Sequence, residues 1–449
     1  MNSTHALHTD LYQLTMMAAY FHNGKHEQPA VCELFVRRLP KNRRFLLAAG
    51  LERCLEYISG LRFTDAQIES MKEIPSLRDA MTPNFVEYLR AFRFTGNVWA
   101  VPEGTVMFQN EPFVRVEAPL AEAQLVETFL LSCINHQTMV ASKAARIVLA
   151  AGGRPVLEFG SRRTHYQAAV DVARAAYIAG FEGSSNVEAF YSHDIPARGT
   201  MAHMFIMSNG DERDAFREYG NVFGHSSYLV DTYDTIQGVK NALDVVGEDL
   251  AAVRLDSGDL AQLSKDVRAL LKERGREDVK IFLSSDLDEY ELVALNEHGD
   301  YDGAGIGTRL ATSHDSPSLG GVYKLVQIGK RPVAKFSEGK VTLPGRHQIY
   351  RQFTRGLMVS DYVGGSDEGA FEFVGRVPLL IPVMQKGSTI HSETVHAMRA
   401  RAREQLSMLP DSLRTIEKTD VCEETYAVRP SRNILALLEE CRQAQLGTQ

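Results

Sequence analysis

The chain has 449 residues, 44% hydrophobic and 24% charged, which is near the globular average and excludes disordered, collagen-like and mucin-like classes. That length exceeds one ordinary compact domain, so two or three packed units are expected. A formal net charge of -8 argues against a general nucleic-acid or anionic-membrane surface, because counterion release needs a concentrated positive face.

The N-terminus, MNSTHALHTDLYQLTMMAAYF, carries His and Asp where a signal peptide needs a basic segment and then a clean apolar run, so a cytoplasmic protein is expected. Helical patterning covers 9–22, 48–60 and 121–149, and β patterning covers 29–37 (PAVCELFVR) and 97–109 (NVWAVPEGTVMFQ). From about 150 to 310 the pattern changes: short apolar runs end in Gly, Ser or Asp clusters and are followed by amphipathic stretches. The strand candidates there are Pro155–Phe159, Ser227–Asp231, Ala251–Leu255, Val279–Ser284 and Asp302–Ile306, with shorter ones near Phe181–Ser184 and Arg198–Met201. Tyr166–Ala179, with Gly180 beyond it as a cap, Ala261–Glu273 and Glu289–Glu297 read as crossover helices. One helix per strand favours a parallel sheet and, most simply, a barrel. After about 320 short strands and turns return (GGVYKLVQIGKRPVAKFS), then a helix over 391–406.

The expected architecture is therefore α/β: a parallel α/β barrel with an additional α/β domain built from both ends of the chain. The divisions fall at 1–145, an N-terminal α/β domain; 146–325, the catalytic barrel; and 326–449, a C-terminal region returning to the first domain. No stretch of about 18 apolar residues free of charge supports a transmembrane helix. Cys32, Cys54, Cys133, Cys422 and Cys441 lack CxxC spacing, so neither a disulfide framework nor a zinc site is expected.

In a parallel barrel the reacting side chains come from the C-terminal ends of strands. Those ends read EFGSRRTH (158–165), GTMAH (199–203), VDTYD (230–234), VRLDSGD (253–259), SSDLDEY (284–290) and GIGTRL (305–310). Carboxylates, arginines and a histidine thus share one rim, which predicts a polar, charged ligand. Arg254 and Asp256 stand two apart on a strand and project to one face. They offer a cation for a substrate carboxylate and an anion for ribose hydroxyls or a metal. Gly303, Gly305 and Gly307 fit no GxGxxG register, yet with Thr308 and Arg309 they suit a monophosphate held at a loop; a simple tight turn is the plainer alternative. No GxxxxGK[ST] run is present, so ATP would not sit in a Walker loop. Lys280 lies at the wrong strand end for a Schiff base.

Taken in order, TDLYQLTM (9–16), EFGSRRTH, GFEGSSNVEA (180–189), GTMAH, LVDTYDT (229–235), VRLDSGDL, SSDLDE and GIGTRLATSHDSPSLGGVYKLV (305–326) resemble the motif series of nicotinate phosphoribosyltransferases. The resemblance spans about 9 to 326. It implies an irregular, TIM-like α/β barrel and an N-terminal domain completed by the C-terminal region, assembled as a homodimer with shared active sites. It also implies nicotinate, phosphoribosyl pyrophosphate and ATP as substrates, with Mg2+ accompanying the pyrophosphate. In that family the ring of nicotinate would lie between Phe159 and Tyr12 of the other subunit, because two flat faces fix its plane. His203 matches the histidine that ATP phosphorylates, with Asp231 as the carboxylate expected to hold its second nitrogen.

Arg254 would pair with the nicotinate carboxylate, which a guanidinium fork suits better than an ammonium. Thr200 and Thr308 match contacts to nicotinate and to the phosphoribosyl phosphate, with Ser257, Gly258 and Gly307 in the same loops. Arg162 and Arg163 are candidates for the donor's phosphates, and Asp256 and Asp286 for ribose hydroxyls or Mg2+. The basic run FVRRLPKNRR (35–44) reads equally as a cover for pyrophosphate or ATP across the dimer or as a solvated turn. Two rivals differ by substrate charge, a nicotinamide and a quinolinate phosphoribosyltransferase; a third is a non-catalytic relative, which would be expected to have lost His203, Arg254 or Asp256. Departures from the family are FGHSSY before LVDTYD and a tail without a Cys/His metal site.

Overall fold

In a computed structural model, which describes residues 5–368, 375–418 and 426–446, the chain divides into two units. One comprises Met1–Met139, Ser318–Leu413 and Val421–Gln449; the other comprises Val140–Pro317 and Arg414–Asp420.

The first unit is built on a seven-stranded sheet whose order is Arg331–Pro332, Gly321–Ile328, Pro29–Val36, Pro112–Pro119, Asn97–Ala100, Ile381–Gln385 and Ser388–Thr389, antiparallel throughout. Pro29–Val36 is an interior strand and buried along nearly all its length, which is why PAVCELFV reads as a continuous apolar run and not as an alternating one. Helices Leu11–His22, Leu51–Ser59 and Pro83–Ala91 bring Leu14, Leu55 and Phe85 into the core shared with Leu34 and Val116. A second sheet orders Val377–Pro378, His347–Thr354, Leu357–Gly365 and Ala427–Pro430. There the buried Arg351 guanidinium grips Asp361 at 2.6 Å, with the Tyr426 hydroxyl 3.0 Å from the same carboxylate and Glu111 3.9 Å from the guanidinium.

The second unit holds a five-stranded parallel sheet ordered Val156–Glu158, Gly303–Ile306, Lys280–Ser285, Leu250–Leu255 and Ser226–Leu229. All five expected strands are present, with ends shifted by one or two residues. Helices Tyr166–Ala179, Thr235–Val246, Leu260–Glu273 and Glu289–His298 lie between them in sequence. Gly238 lets one helix come close, since a Cβ there would meet the Val230 carbonyl oxygen at 2.1 Å. Asp234, Asp259 and Asp288 cap three of these helices by accepting from the amides of Gln237 at 2.7 Å, Gln262 at 3.1 Å and Tyr290 at 2.9 Å. Three of the eight carboxylates in the strand-end segments are therefore helix caps.

The expected irregular, TIM-like barrel is present only as this parallel sheet, and the described residues show no closed barrel. Beyond Val156–Glu158 the sheet continues only through single parallel bridges, Glu158 to Ser184 and Ser184 to Ala197. The shorter strands expected near 181–184 and 198–201 are reduced to these bridges. The physical reason is composition: Gly180, Gly183, Pro196 and Gly199, with the short helix Val187–His193 between them, leave no run able to sustain a ladder. Other flank expectations split. Residues 97–109 form Asn97–Ala100 and Val106–Met107 around Gly104 at φ 86, and 121–149 becomes Leu120–Leu125 and Glu127–Ala150.

Candidate active site

At the C-terminal ends of the parallel strands lies a cleft of about 810 Å³ within the second unit. Its wall contains Phe159, Arg162, Arg163, Thr200, Arg254, Asp256, Asp286, Gly307 and Thr308, nine of the positions singled out from sequence. Ser161, Ser185, Arg198, Met201, Ser284 and Ser285 also line it and were not singled out. Their only sequence signal was adjacency to the motif residues, because the wall is made by whole loops.

Phe159 follows the strand Val156–Glu158 and lays its ring over Gly305, where a Cβ would stand 2.3 Å from the ring. The glycine is therefore needed for a close approach of aromatic to backbone. Arg254 and Asp256 do share a face. The guanidinium carbon of Arg254 is 5.9 Å from the Phe159 ring centroid, Nη2 is 3.6 Å from Asp256, and Nη1 donates to the Met201 carbonyl at 3.3 Å. The Nε of Arg254 is buried without a partner, a donor left for an incoming acceptor. Asp256 also accepts from the Ser284 hydroxyl.

His203 opens the helix His203–Met207, and its Nε2 stands 3.8 Å from Asp256. Arg254 and His203 thus converge on one carboxylate. The expected bond between His203 and Asp231 is not the one formed: Nδ1 of His203 lies 3.1 Å from the Thr232 hydroxyl. Asp231 instead accepts from the Asp256 amide at 2.9 Å and the Ser257 hydroxyl at 2.6 Å. Its buried carboxylate holds the loop that presents Asp256, because a turn of exposed amides at a strand end needs an acceptor. Ser257 is spent in that bond, and Gly258 takes φ 86 to start the loop; neither contributes to the cleft wall. Arg309 is engaged as well. Its pairing with Asp288 at 2.8 Å keeps the guanidinium in its charged form, and the arginine beside it draws the Asp288 carboxyl below its usual range against the opposing effect of burial.

Beneath this loop, Lys143 pairs with Glu289 at 2.6 Å and Asp315 at 2.9 Å, and Arg146 reaches Glu289 at 3.0 Å. The network fixes the start of the helix Glu289–His298, which follows Asp286. Among the described residues no group of three or more His, Cys, Asp or Glu is placed to hold a metal ion. Tyr12 belongs to the first unit, on the helix Leu11–His22, and is 47% exposed. Of the basic run, Arg44 donates to the Ser412 carbonyl and Arg38 is exposed. Cys32, Cys54, Cys133 and Cys441 are free thiols, and Cys422 lies outside the described residues. Among the described residues no helix is long and apolar enough to cross a membrane.

Residues 7–135 match the model of the nicotinate phosphoribosyltransferase N-terminal domain, and 155–342 match that of the nicotinate phosphoribosyltransferase family. A nicotinate phosphoribosyltransferase of Mycobacterium tuberculosis is 42% identical over 448 residues, covering 98% of this chain and 94% of that one. One from Bacillus subtilis is 44% identical, covering 81% and 76%. The crystal structure of human nicotinic acid phosphoribosyltransferase superposes with a TM-score of 0.82 at 29% identity, covering 96% of this chain and 99% of that one. Matched through both family regions and along nearly its whole length, the chain belongs to the nicotinate phosphoribosyltransferase family.

Proposed function

We propose that the chain transfers the phosphoribosyl group of 5-phosphoribosyl 1-pyrophosphate to nicotinate, giving nicotinate mononucleotide and pyrophosphate in the first step of NAD salvage, and couples this to ATP through a phosphohistidine at His203. The observation that carries the reading is the meeting of Phe159, Arg254 and His203 around Asp256, with Arg254 5.9 Å from the ring and His203 3.8 Å from the carboxylate. A planar aromatic anion needs a flat apolar face and a guanidinium fork beside it. A neutral amide would not use the unpartnered Nε of Arg254 as well, and a dicarboxylate would call for further cations at the ring.

In this reading Arg254 binds the nicotinate carboxylate, Thr200 borders the ring, and Gly307 and Thr308 take the 5-phosphate of the donor. Arg162 and Arg163 face the pyrophosphate. Asp256 and Asp286 would hold the ribose hydroxyls or the Mg2+ that arrives with the pyrophosphate, whose negative charge the ion would offset. Pyrophosphate leaves C1 of the ribose through an oxocarbenium-like transition state as the pyridine nitrogen arrives from the opposite face. Asp256 would offset that developing positive charge. Holding both substrates in register supplies roughly 7–11 kcal/mol of the barrier reduction.

For the ATP step, Thr232 engages Nδ1 of His203 and leaves Nε2 to attack the γ-phosphorus, with ADP departing and water later releasing phosphate. The second face of the ring comes from Tyr12 of a partner chain in a homodimer. Support comes from the exposed apolar side chains Tyr166, Val187, Tyr191, Met204, Met207 and Phe223 on this unit and from the exposure of Tyr12, since such patches mark surfaces covered by protein. The region 146–325 serves as the catalytic domain, and the free thiols suit a cytoplasmic setting. The test is His203→Ala: ATP-dependent stimulation is lost while slow transfer from the donor persists. ATP coupling unchanged in that variant would remove the phosphohistidine from the scheme.

A further inference from the structure

The strand before the aromatic wall ends in a carboxylate with no place in the chemistry above. Glu158 is fully buried, and the cleft wall begins at the next residue. Its Oε1 accepts from the Gly160 amide and its Oε2 from the Ser184 hydroxyl. Ser184, also fully buried, accepts in turn from the Asn186 amide at 2.9 Å. Asn186 donates from its side chain to the Ser161 hydroxyl at 3.0 Å and caps the helix Val187–His193 by accepting from Ala189 at 3.0 Å. The hydrogen bonds close a ring that leaves the loop at Gly160 and returns to it at Ser161.

We infer that Glu158 is a positioning residue: its carboxylate, through Ser184 and Asn186, fixes the distance between the Phe159–Arg163 wall of the cleft and the Ser185–Val187 wall. Two constraints then set the Phe159 ring. Gly305 meets one face of it at a separation no Cβ could share, and the backbone on either side is tied, by the Phe159 amide to the Ile306 carbonyl at 2.8 Å and by Glu158 to Gly160. A carboxylate is the group this junction needs, because two donors from different segments converge on it and the single carbonyl oxygen of an amide side chain cannot serve both in the same geometry. Burial pushes the Glu158 carboxyl up, and the bonds from Ser184 and Gly160 hold it down. Leaving either donor unpaired in a dry site costs free energy that the loop recovers only by moving.

The inference rests on the reading of Phe159 as the nicotinate platform, and the test separates the two. Glu158→Gln, Ser184→Ala, their double variant and Phe159→Ala are compared in the full-length enzyme by steady-state kinetics, nicotinate titration calorimetry and thermal denaturation. Expected is a rise in the KM for nicotinate of about tenfold in Glu158→Gln and in Ser184→Ala, with kcat changed less. The double variant should fall well short of the product of the two effects, since both remove one bond. Ser184→Ala, which deletes one buried oxygen, keeps the question answerable if Glu158→Gln fails to fold. Phe159→Ala losing nicotinate affinity while Glu158→Gln and Ser184→Ala keep it, even with lowered melting midpoints, overturns the positioning role alone. Unaltered affinity in Phe159→Ala overturns the platform beneath it.

Discussion

Replacing Arg254 with glutamine tests the identity of the substrate most directly. The guanidinium sits half in its own network, 3.3 Å from the Met201 carbonyl and 3.6 Å from Asp256, with Nε buried and unpartnered. A bidentate pairing with a carboxylate adds two charge-assisted hydrogen bonds, each worth about 1.5–3 kcal/mol. Because the wild-type guanidinium exchanges some of its present contacts for these, a net loss of about 3 kcal/mol is expected, or about two orders of magnitude in kcat/KM. Removing the cation also leaves Asp256 facing the incoming carboxylate, which acts in the same direction. The assay is initial-rate kinetics with nicotinate, nicotinamide and quinolinate at saturating sugar donor. Nicotinate should suffer selectively, and Arg254→Lys should restore only part of the loss because the ammonium lacks the fork. An equal proportional loss for nicotinate and nicotinamide, or a loss below about threefold for nicotinate, within the scatter of an ordinary surface substitution, would refute the assignment.

The aromatic platform and the distant core give two further expectations. Gly305→Ala places a Cβ 2.3 Å from the Phe159 ring, so nicotinate affinity by calorimetry should fall about tenfold, as for an overpacked contact of 1–3 kcal/mol; unchanged affinity would mean that the ring repacks freely. In the first unit, burial, and after it the nearby Asp361 carboxylate, pushes the Glu111 carboxyl well above its ordinary value of 4.5. Since the folded-state value is raised, its stabilising contribution is full below 4.5 and is lost as pH climbs through the folded value. The melting midpoint of Glu111→Gln, compared with wild type from acid toward neutral pH, should therefore gain on wild type as pH rises. A constant difference across that range would exclude the linkage.

The parts of the site that sequence made legible are those where one residue does one job. Phe159, Arg254, Asp256 and Thr308 stand at or just beyond strand ends, and a parallel strand fixes both the end and the face, so a pair two apart such as Arg254 and Asp256 had to share the cleft. Partners supplied by other segments were a different matter. Thr232, not Asp231, engages His203, and Asp231 is committed to the Asp256 and Ser257 loop. Hydrogen-bond pairing depends on distances of a few tenths of an ångström, which neighbouring positions in LVDTYDT do not resolve. The second aspartate of VDTYD, VRLDSGD and SSDLDE sits where a helix begins, a signal legible in sequence, and Asp234, Asp259 and Asp288 are caps.

The alternation of apolar runs with amphipathic stretches determined by itself that the second unit is a parallel α/β sheet, since each period is set by backbone geometry within one segment. It also determined which rim carries the charge. Only the tertiary structure decided that among the described residues the sheet continues past Glu158 through single bridges, that Arg309 is held by Asp288 and that Glu158, Ser184 and Asn186 close a ring behind the Phe159 loop. The reason is common to all three: a buried polar group takes whichever partner the packing of distant segments brings within hydrogen-bond reach, and no local pattern encodes that meeting.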